Sequence, residues 1–449
     1  MGRGGGAGRS GGSRNAGGRE DGCRRRRRDA EGSERAESMA DADPGCAPEG
    51  SPSSSDRQDS LFDPSFEDFR VPETVAAAFA AYRASDLAGA PTGTSAGEPA
   101  DEQAGELAGN PASGPACEPA GEDRPQAPVR GGLALGRVVR LDRGFPLVTT
   151  ADGAFRAEHA VAMAKEDDVR PTVGDWVALR LPDGHDKAVI ERVMPRTSDF
   201  SRWDGANRGL RQTLAANLDL LIVVQPLSKR DVPVDRIMRS LVLAAEGGVR
   251  AAVVLTKADR SPSDERRAAD GEAVRGIAGA GVPVLTTSCA DGSGVEEVRA
   301  LIAPGETAML LGESGAGKST LVNALLGADV LGTGEVRSRD DRGRHTTVAR
   351  RMLKVPGAGV LVDAPGLRSL PLLDEELGLA RTFPEIAALE PSCRFRDCTH
   401  GAETGCAVTA GVRSGAVAPG RLEEYRLFAA EMKANRRALA PSAKSSLTQ

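Results

Sequence analysis

Hydrophobic and polar positions change rhythm twice along this chain, and each change marks a domain. From Gly132, apolar residues gather in short runs at 135–141, 146–150, 153–157, 176–181 and 188–193, with the length and composition of strands. Turn signals such as Asp142-Arg143-Gly144, Asp152-Gly153 and Pro182-Asp183-Gly184 separate them. Five short strands in roughly 65 residues fit a small OB-type β-barrel over 131–200, an architecture that commonly binds single-stranded or looped nucleic acid. Other small barrels fit the same pattern nearly as well. From Asn217 the rhythm becomes strand, then helix. Runs at 218–224, 251–255, 284–286 and 307–311 read as buried strands, with Pro283 delaying the start of the third. Helical spacing follows at 234–246, 295–302 and 319–326. Such alternation predicts a mostly parallel sheet with helices on both faces, an α/β P-loop domain over 210–372.

Ahead of these domains the pattern fades. Residues 1–57 are Gly, Ser, Arg and Pro, with too little apolar surface to offset the entropy of ordering. Leu61, Phe62, Phe66 and Phe69, then Val75, Phe79 and Tyr82 after Pro72, interrupt the polar leader. The composition favours a weakly helical linker there, with a short docking helix as the alternative. Residues 85–130 return to Ala, Gly, Pro and Glu, so 1–130 reads as a disordered leader with an acidic linker. Met39 offers a second start, which peptide mapping of 2–37 would test.

Charge follows the same division. Residues 1–38 hold ten Arg against six acidic residues, and 39–130 hold five basic against seventeen acidic. The formal charge of −6 therefore comes from the leader and says little about the folded part. No apolar run approaches the ~18 residues of a membrane span, and the N-terminus lacks an apolar targeting core. Cys23, Cys46, Cys117 and Cys289 show no pairing pattern, which fits a reducing compartment and a cytoplasmic protein.

The candidate chemistry lies in two places. Gly312, Glu313, Ser314, Gly315, Ala316, Gly317, Lys318, Ser319 and Thr320 spell a phosphate loop between a strand and a helix. Its glycines let backbone N–H groups wrap phosphates, Lys318 reaches the β- and γ-phosphates, and the Ser319 hydroxyl suits Mg²⁺. Asp363-Ala364-Pro365-Gly366 follows a strand, so Asp363 can hold the Mg²⁺ shell and the Gly366 N–H can sense the γ-phosphate. Thr256-Lys257-Ala258-Asp259 offers a carboxylate for the guanine N1–H and N2–H₂ edge, and Ser288-Cys289-Ala290 can close over O6. Thr256 stands where Asn is usual, which predicts a weaker contact. The base-reading half precedes the phosphate half, the order of a circularly permuted GTPase.

Water activation falls to the loop before Asp363. Leu367 follows the glycine of the Asp-Ala-Pro-Gly motif, so no Gln stands there to orient a water. In Gly343-Arg344-His345-Thr346-Thr347, His345 can orient or deprotonate it and Thr347 can complete the Mg²⁺ shell. Arg344 either offsets phosphate charge or solvates the loop. Lys318, His345 and Thr347 are thus the expected catalytic set.

Cys393-x4-Cys398-x-His400-x5-Cys406 supplies three thiolates and an imidazole, the donor set of a closed structural zinc site. Arg394, Arg396, Arg413 and Arg421 surround it, and Arg426, Lys433, Arg436 and Arg437 line the helix beyond. Such a face either binds phosphates or is simply solvated. A zinc-binding helical domain over 373–440 completes the expected multidomain chain.

Barrel, permuted GTPase, Cys₃His cluster and basic helix in this order resemble the ribosome small subunit-dependent GTPase A family. Val173-Gly174-Asp175-Trp176-Val177, Leu214-Ala215-Ala216-Asn217-Leu218-Asp219 and 343–347 carry the likeness, over 132–437. The resemblance implies a GTPase that docks through rRNA on the immature small ribosomal subunit, is stimulated by it, and leaves on hydrolysis. It also implies His345 as the catalytic residue, Thr347 as the switch threonine, and Cys393, Cys398, His400 and Cys406 as zinc ligands; a monomer is expected. The long leader departs from the family. Two other readings remain: a GTP-sensing RNA-binding module without a significant catalytic role, and an ATP-driven assembly factor in which Asp259 reads no base.

Overall fold

The computed structural model describes residues 63–89, 132–141, 145–160, 170–182, 187–203, 211–332, 350–363 and 370–439. His345, Thr347, Arg344, Gly366 and most of the leader lie outside the described residues.

The first domain is a closed barrel of β1 (Leu133–Leu141), β2 (Leu147–Thr150), β3 (Gly153–His159), β4 (Trp176–Arg180) and β5 (Ala188–Val193). Its strand order is β1-β2-β3-β5-β4 and back to β1, with β3 and β5 parallel and the other pairs antiparallel. Closure removes the free edges that five short strands would expose, and this path is that of an OB barrel. Val138, Val148, Ala157, Val177, Leu179, Ala188 and Ile190 fill the interior.

A hairpin absent from the sequence reading follows, β6 (Asp199–Trp203) with β7 (Arg211–Ala216). Gly174 marks where the barrel meets it. With φ +93° and Ala216 O only 2.0 Å from where a Cβ would sit, no other residue fits there.

The α/β domain contains β8 (Leu220–Pro226), β9 (Arg250–Thr256), β10 (Val284–Thr286), β11 (Thr307–Leu311), β12 (Arg350–Lys354) and β13 (Val360–Asp363). Sheet order is β10-β9-β8-β11-β13-β12, parallel except for β12. The continuous apolar runs have a simple cause. Leu221, Val223, Val253, Leu255, Met309 and Leu311 pack on one face, and Leu220, Ile222, Val224, Ala252, Val254, Ala308 and Leu310 on the other. The first face is covered by α2 (Val234–Glu246) and α3 (Asp264–Ala278), the second by α4 (Val295–Ala300) and α5 (Lys318–Leu326). Edge strand β12 pairs with barrel strand β1 at Arg351↔Arg140 and Arg350↔Leu141, so one sheet runs through both domains.

The linker expectation for the leader fails at residues 63–89. A short turn at Phe66–Asp68 leads into α1 (Glu73–Gly89), and Phe69 and Val75 are buried. The rings of Phe66 and Phe69 meet Trp176 edge-on, with centroids 5.7 and 6.2 Å apart. The Arg137 guanidinium lies over both Phe69 and Trp176. Asp68 pairs with Lys354 of β12 at 2.7 Å, and the Arg70 N–H donates to Gly305 O at 3.4 Å. This segment therefore ties the barrel to the α/β domain. Its order comes from partners more than a hundred residues away, which local composition does not register.

The last domain packs α6 (Glu376–Thr382), α7 (Pro384–Leu389), α8 (Ala407–Ser414) and α9 (Pro419–Leu439) around Phe383, Ile386, Val408, Tyr425 and Phe428. Among the described residues no helix is long and apolar enough to cross a membrane.

Candidate functional site

The motif loops at 256–259, 288–290, 312–319 and 363 all leave the carboxyl ends of parallel strands, namely β9, β10, β11 and β13. In an open α/β sheet this is where ligands bind, because backbone dipoles and loops converge outside the strand ends.

The phosphate loop turns sharply after β11. Gly312 has no room for a side chain, since a Cβ would lie 2.4 Å from Val224 O, and Gly315 and Gly317 take φ of +81° and +94°. Ala316 is buried beneath the loop, while Glu313, Ser314, Gly315 and Thr320 are exposed. Lys318 and Ser319 open α5, and Lys318 Nζ donates to the carbonyls of Gly312 and Glu313 at 2.8 Å each. Burial lowers the Lys318 pKa, and the nearby Asp363 charge opposes that shift. The Glu313 carboxylate in turn receives Arg236 of α2. Sequence reading found the helix but gave Arg236 no role, because the contact joins residues 77 positions apart.

The base-reading loops are fastened to that loop. Thr256, buried, donates its Oγ1–H to Ala316 O at 2.6 Å, and Lys257 Nζ donates to Gly315 O at 2.6 Å. Lys257 adopts φ +59°, which turns its side chain over the loop. Burial and then the charge of Arg260 lower its pKa. The Ala258 N–H donates to Thr287 O at 3.2 Å, and the Ser288 hydroxyl donates to Asp259 Oδ1 at 3.0 Å. The Ala290 N–H then closes on Ser288 Oγ at 3.3 Å. Cys289 between them is half-buried, and its thiol pKa is raised first by burial and then by Asp259. Residues 256–259, 288–290 and 312–319 thus form one connected surface.

The second cluster is compact. Cys393, Cys398, His400 and Cys406 bring their donor atoms within 4.8 Å of one another, a set able to hold one metal ion. His400 Nδ1 lies 3.7 Å from Cys393 Sγ and 3.6 Å from Cys406 Sγ, and the two sulfurs are 3.9 Å apart. Its other nitrogen, Nε2, donates to Glu390 Oε1 at 2.9 Å, which fixes the ring with Nδ1 toward the sulfurs. The Tyr425 hydroxyl donates to the same Glu390 oxygen, and its pKa is raised by burial and by that carboxylate. Glu390 and Tyr425 were not legible in the motif.

The expected basic face divides. Arg394, Arg396, Arg413, Arg426, Lys433 and Arg437 are exposed. Arg421 is not part of it. It is buried, pairs with Glu385 and donates to the carbonyls of Ile277 and Thr382, holding the module against α3.

The family profile described as RsgA GTPase matches residues 193–373. Over 310 residues the chain is 45% identical to the small ribosomal subunit biogenesis GTPase RsgA of Streptomyces coelicolor, spanning 69% of this chain and 82% of that protein. This chain belongs to the RsgA GTPase family. The Streptomyces avermitilis RsgA is 44% identical over 295 residues, covering 66% of this chain and 78% of that protein. The crystal structure of YjeQ from Thermotoga maritima superposes with a TM-score of 0.52 at 25% identity, covering 67% of this chain and 99% of YjeQ. YloQ, described as a circularly permuted GTPase, has the same fold, with a TM-score of 0.51 at 22% identity, covering 69% of this chain and 98% of YloQ. The permuted RsgA order explains why the base loops precede the phosphate loop in sequence yet meet it in space.

Proposed function

We propose that this chain hydrolyses GTP to GDP and phosphate, and that it is a late assembly factor of the small ribosomal subunit that binds rRNA and leaves on hydrolysis. The observation that carries the reading is the fastening of the base loop to the phosphate loop through Thr256–Ala316 and Lys257–Gly315. That link holds Asp259, with its acceptors for the guanine edge, at a fixed distance from the amides around Gly315 and Gly317. Adenine lacks the N2–H₂ donor and gains nothing from this carboxylate. The names of the Streptomyces relatives support the subunit as partner.

In this reading Lys318 exchanges the Gly312 and Glu313 carbonyls for β- and γ-phosphate oxygens, and Ser288, Cys289 and Ala290 close over the base. Ser319 in the first turn of α5 and Asp363 at the end of β13 offer hard oxygen donors, which suits Mg²⁺, with Thr347 as the remaining side-chain donor. An ion held there would supply positive charge against the phosphate oxygens, which is the chemistry Mg²⁺ contributes to phosphoryl transfer. His345 orients or deprotonates the attacking water, whose oxygen bonds to the γ-phosphorus as the β–γ bridge breaks, and Gly366 senses the γ-phosphate.

The Cys₃His cluster suits structural zinc. Bonds of ~2.3 Å to sulfur and ~2.0 Å to nitrogen around a tetrahedron set ligand atoms ~3.5–3.8 Å apart, close to the 3.6–3.9 Å among the donors of Cys393, His400 and Cys406. The ion would cross-link 393–406 and so hold the exposed Arg394 and Arg396 for phosphate contact. The barrel and these arginines form the rRNA-facing surface. The protein works as a monomer in the cytoplasm.

Competition on the purified protein tests the nucleotide reading. Labelled GDP is displaced by GTP and not by a hundredfold excess of ATP; displacement by both would remove Asp259 as a base reader. Co-sedimentation with small and not large subunits, in the presence of a non-hydrolysable GTP analogue, tests the partner.

A further inference from the structure

Two cations converge on one residue of the phosphate loop. Lys318 Nζ donates to the backbone carbonyl of Glu313 at 2.8 Å, and the Arg236 guanidinium pairs with the Glu313 carboxylate. Lys318 is accounted for by its place in the loop, whereas Arg236 comes from another element. It sits in the first turn of α2, whose neighbouring residues Ile237 and Met238 are buried, so its backbone is fixed and only the side chain can move. Arg236 lines a narrow cleft with Gln225, Leu311, Gly312 and Leu370, where the ends of β8 and β11 meet the chain just beyond the Asp363 motif. Its side chain is 22% exposed, against 56% for Glu313.

A carboxylate is a costly neighbour for a triphosphate. Glu313 stands in the loop that wraps the phosphates, and its charge repels them unless a cation answers it. Arg236 supplies that cation. An incoming γ-phosphate is the stronger competitor, because it offers a guanidinium fork more negative charge and several oxygens. GDP, ending at the β-phosphate, offers less.

We propose that Arg236 is a second phosphate-directed cation of this site, held on Glu313 until a γ-phosphate draws it over, where it stabilises the charge that develops during hydrolysis. This rests on the reading of 312–320 as the GTP phosphate loop. Arg236 thereby discriminates GTP from GDP, and Glu313 sets how readily it is released.

The test compares full-length wild type with Arg236→Ala, Arg236→Lys and Glu313→Gln. Measured are the GDP and non-hydrolysable GTP-analogue dissociation constants, basal kcat and KM, and the melting temperature. Arg236→Ala is expected to leave GDP affinity within about twofold, weaken the analogue and lower kcat by ~10- to 100-fold. Arg236→Lys regains part of that loss. Glu313→Gln, which keeps the side chain's shape, raises analogue affinity relative to GDP. Wild-type kcat and analogue affinity in Arg236→Ala would overturn the proposal. So would an equal loss of GDP and analogue binding with a lowered melting temperature, which is the mark of a merely structural arginine. Failure of wild type to bind either nucleotide would overturn the site reading itself.

Discussion

Thr256 donates its hydroxyl to the carbonyl oxygen of Ala316 at 2.6 Å, a bond that spans 60 positions in sequence and joins the base loop to the phosphate loop. An Asn is usual at this position, so the sequence alone predicts a weaker contact from Thr256. In the structure its hydroxyl is buried and satisfied, so the substitution keeps a donor where the two loops meet. Thr256→Val, isosteric but without the donor, leaves Ala316 O unpaired at a cost of about 1 kcal/mol. Guanine nucleotide affinity should fall about fivefold, as read by titration calorimetry, while Thr256→Asn should retain it.

The Glu390 carboxylate collects both His400 Nε2–H and the Tyr425 hydroxyl, so it orients the imidazole from behind the cluster. Glu390→Gln should weaken metal retention ~10- to 100-fold without removing a ligand. Zinc release to a chelator, followed by absorbance of an indicator, measures it. Full chelation should lower the melting temperature of the intact protein, because 393–406 has little apolar core of its own.

Phe69 buries its ring against Trp176 and under Arg137, and it anchors the leader segment. Phe69→Ala should cost about 3 kcal/mol, visible as a lower denaturation midpoint. A change limited to the surface would shift the midpoint little. If Phe69→Ala melts like wild type, residues 63–89 do not hold the two domains together.

Glu375 is buried and accepts from Trp203 Nε1 at 2.7 Å, and burial raises its pKa above the ordinary carboxylate range. The folded state therefore holds its proton more tightly than the unfolded chain does. Stability from this group is greatest at low pH and declines as pH rises from the unfolded carboxylate value through the raised folded one. Glu375→Gln should remove that slope from the pH dependence of the melting temperature. Trp203 fluorescence should titrate over the same window in wild type and not in the variant.

Much of this architecture was legible because it is written in local periodicity. The barrel strands lay within a few residues of their predicted ends, and the buried runs at 218–224, 251–255 and 307–311 became the sheet centre as expected. Motif segments far apart in sequence lie together: Thr256 meets the phosphate loop at Ala316, and Ser288 meets Asp259. What escaped detection depends on distant partners. Phe66 and Phe69 looked like residues of a linker until Trp176 was placed beside them. Arg236, Glu390 and Glu375 carry no motif and gain meaning only from Glu313, His400 and Trp203. Arg421 looked like one more surface arginine, yet it is buried on Glu385. Charge type is visible in a sequence; whether a charge faces water or a partner is set by packing.

A GTPase that assembles the small ribosomal subunit should have a turnover that answers to that subunit. The most direct measurement is phosphate release from GTP by purified protein, alone and with small subunits, with large subunits and ATP as controls. Small subunits should strongly stimulate release with GTP only, and His345→Ala should lose that stimulation with nucleotide affinity nearly intact. Equal rates with small, large or no subunits would contradict it.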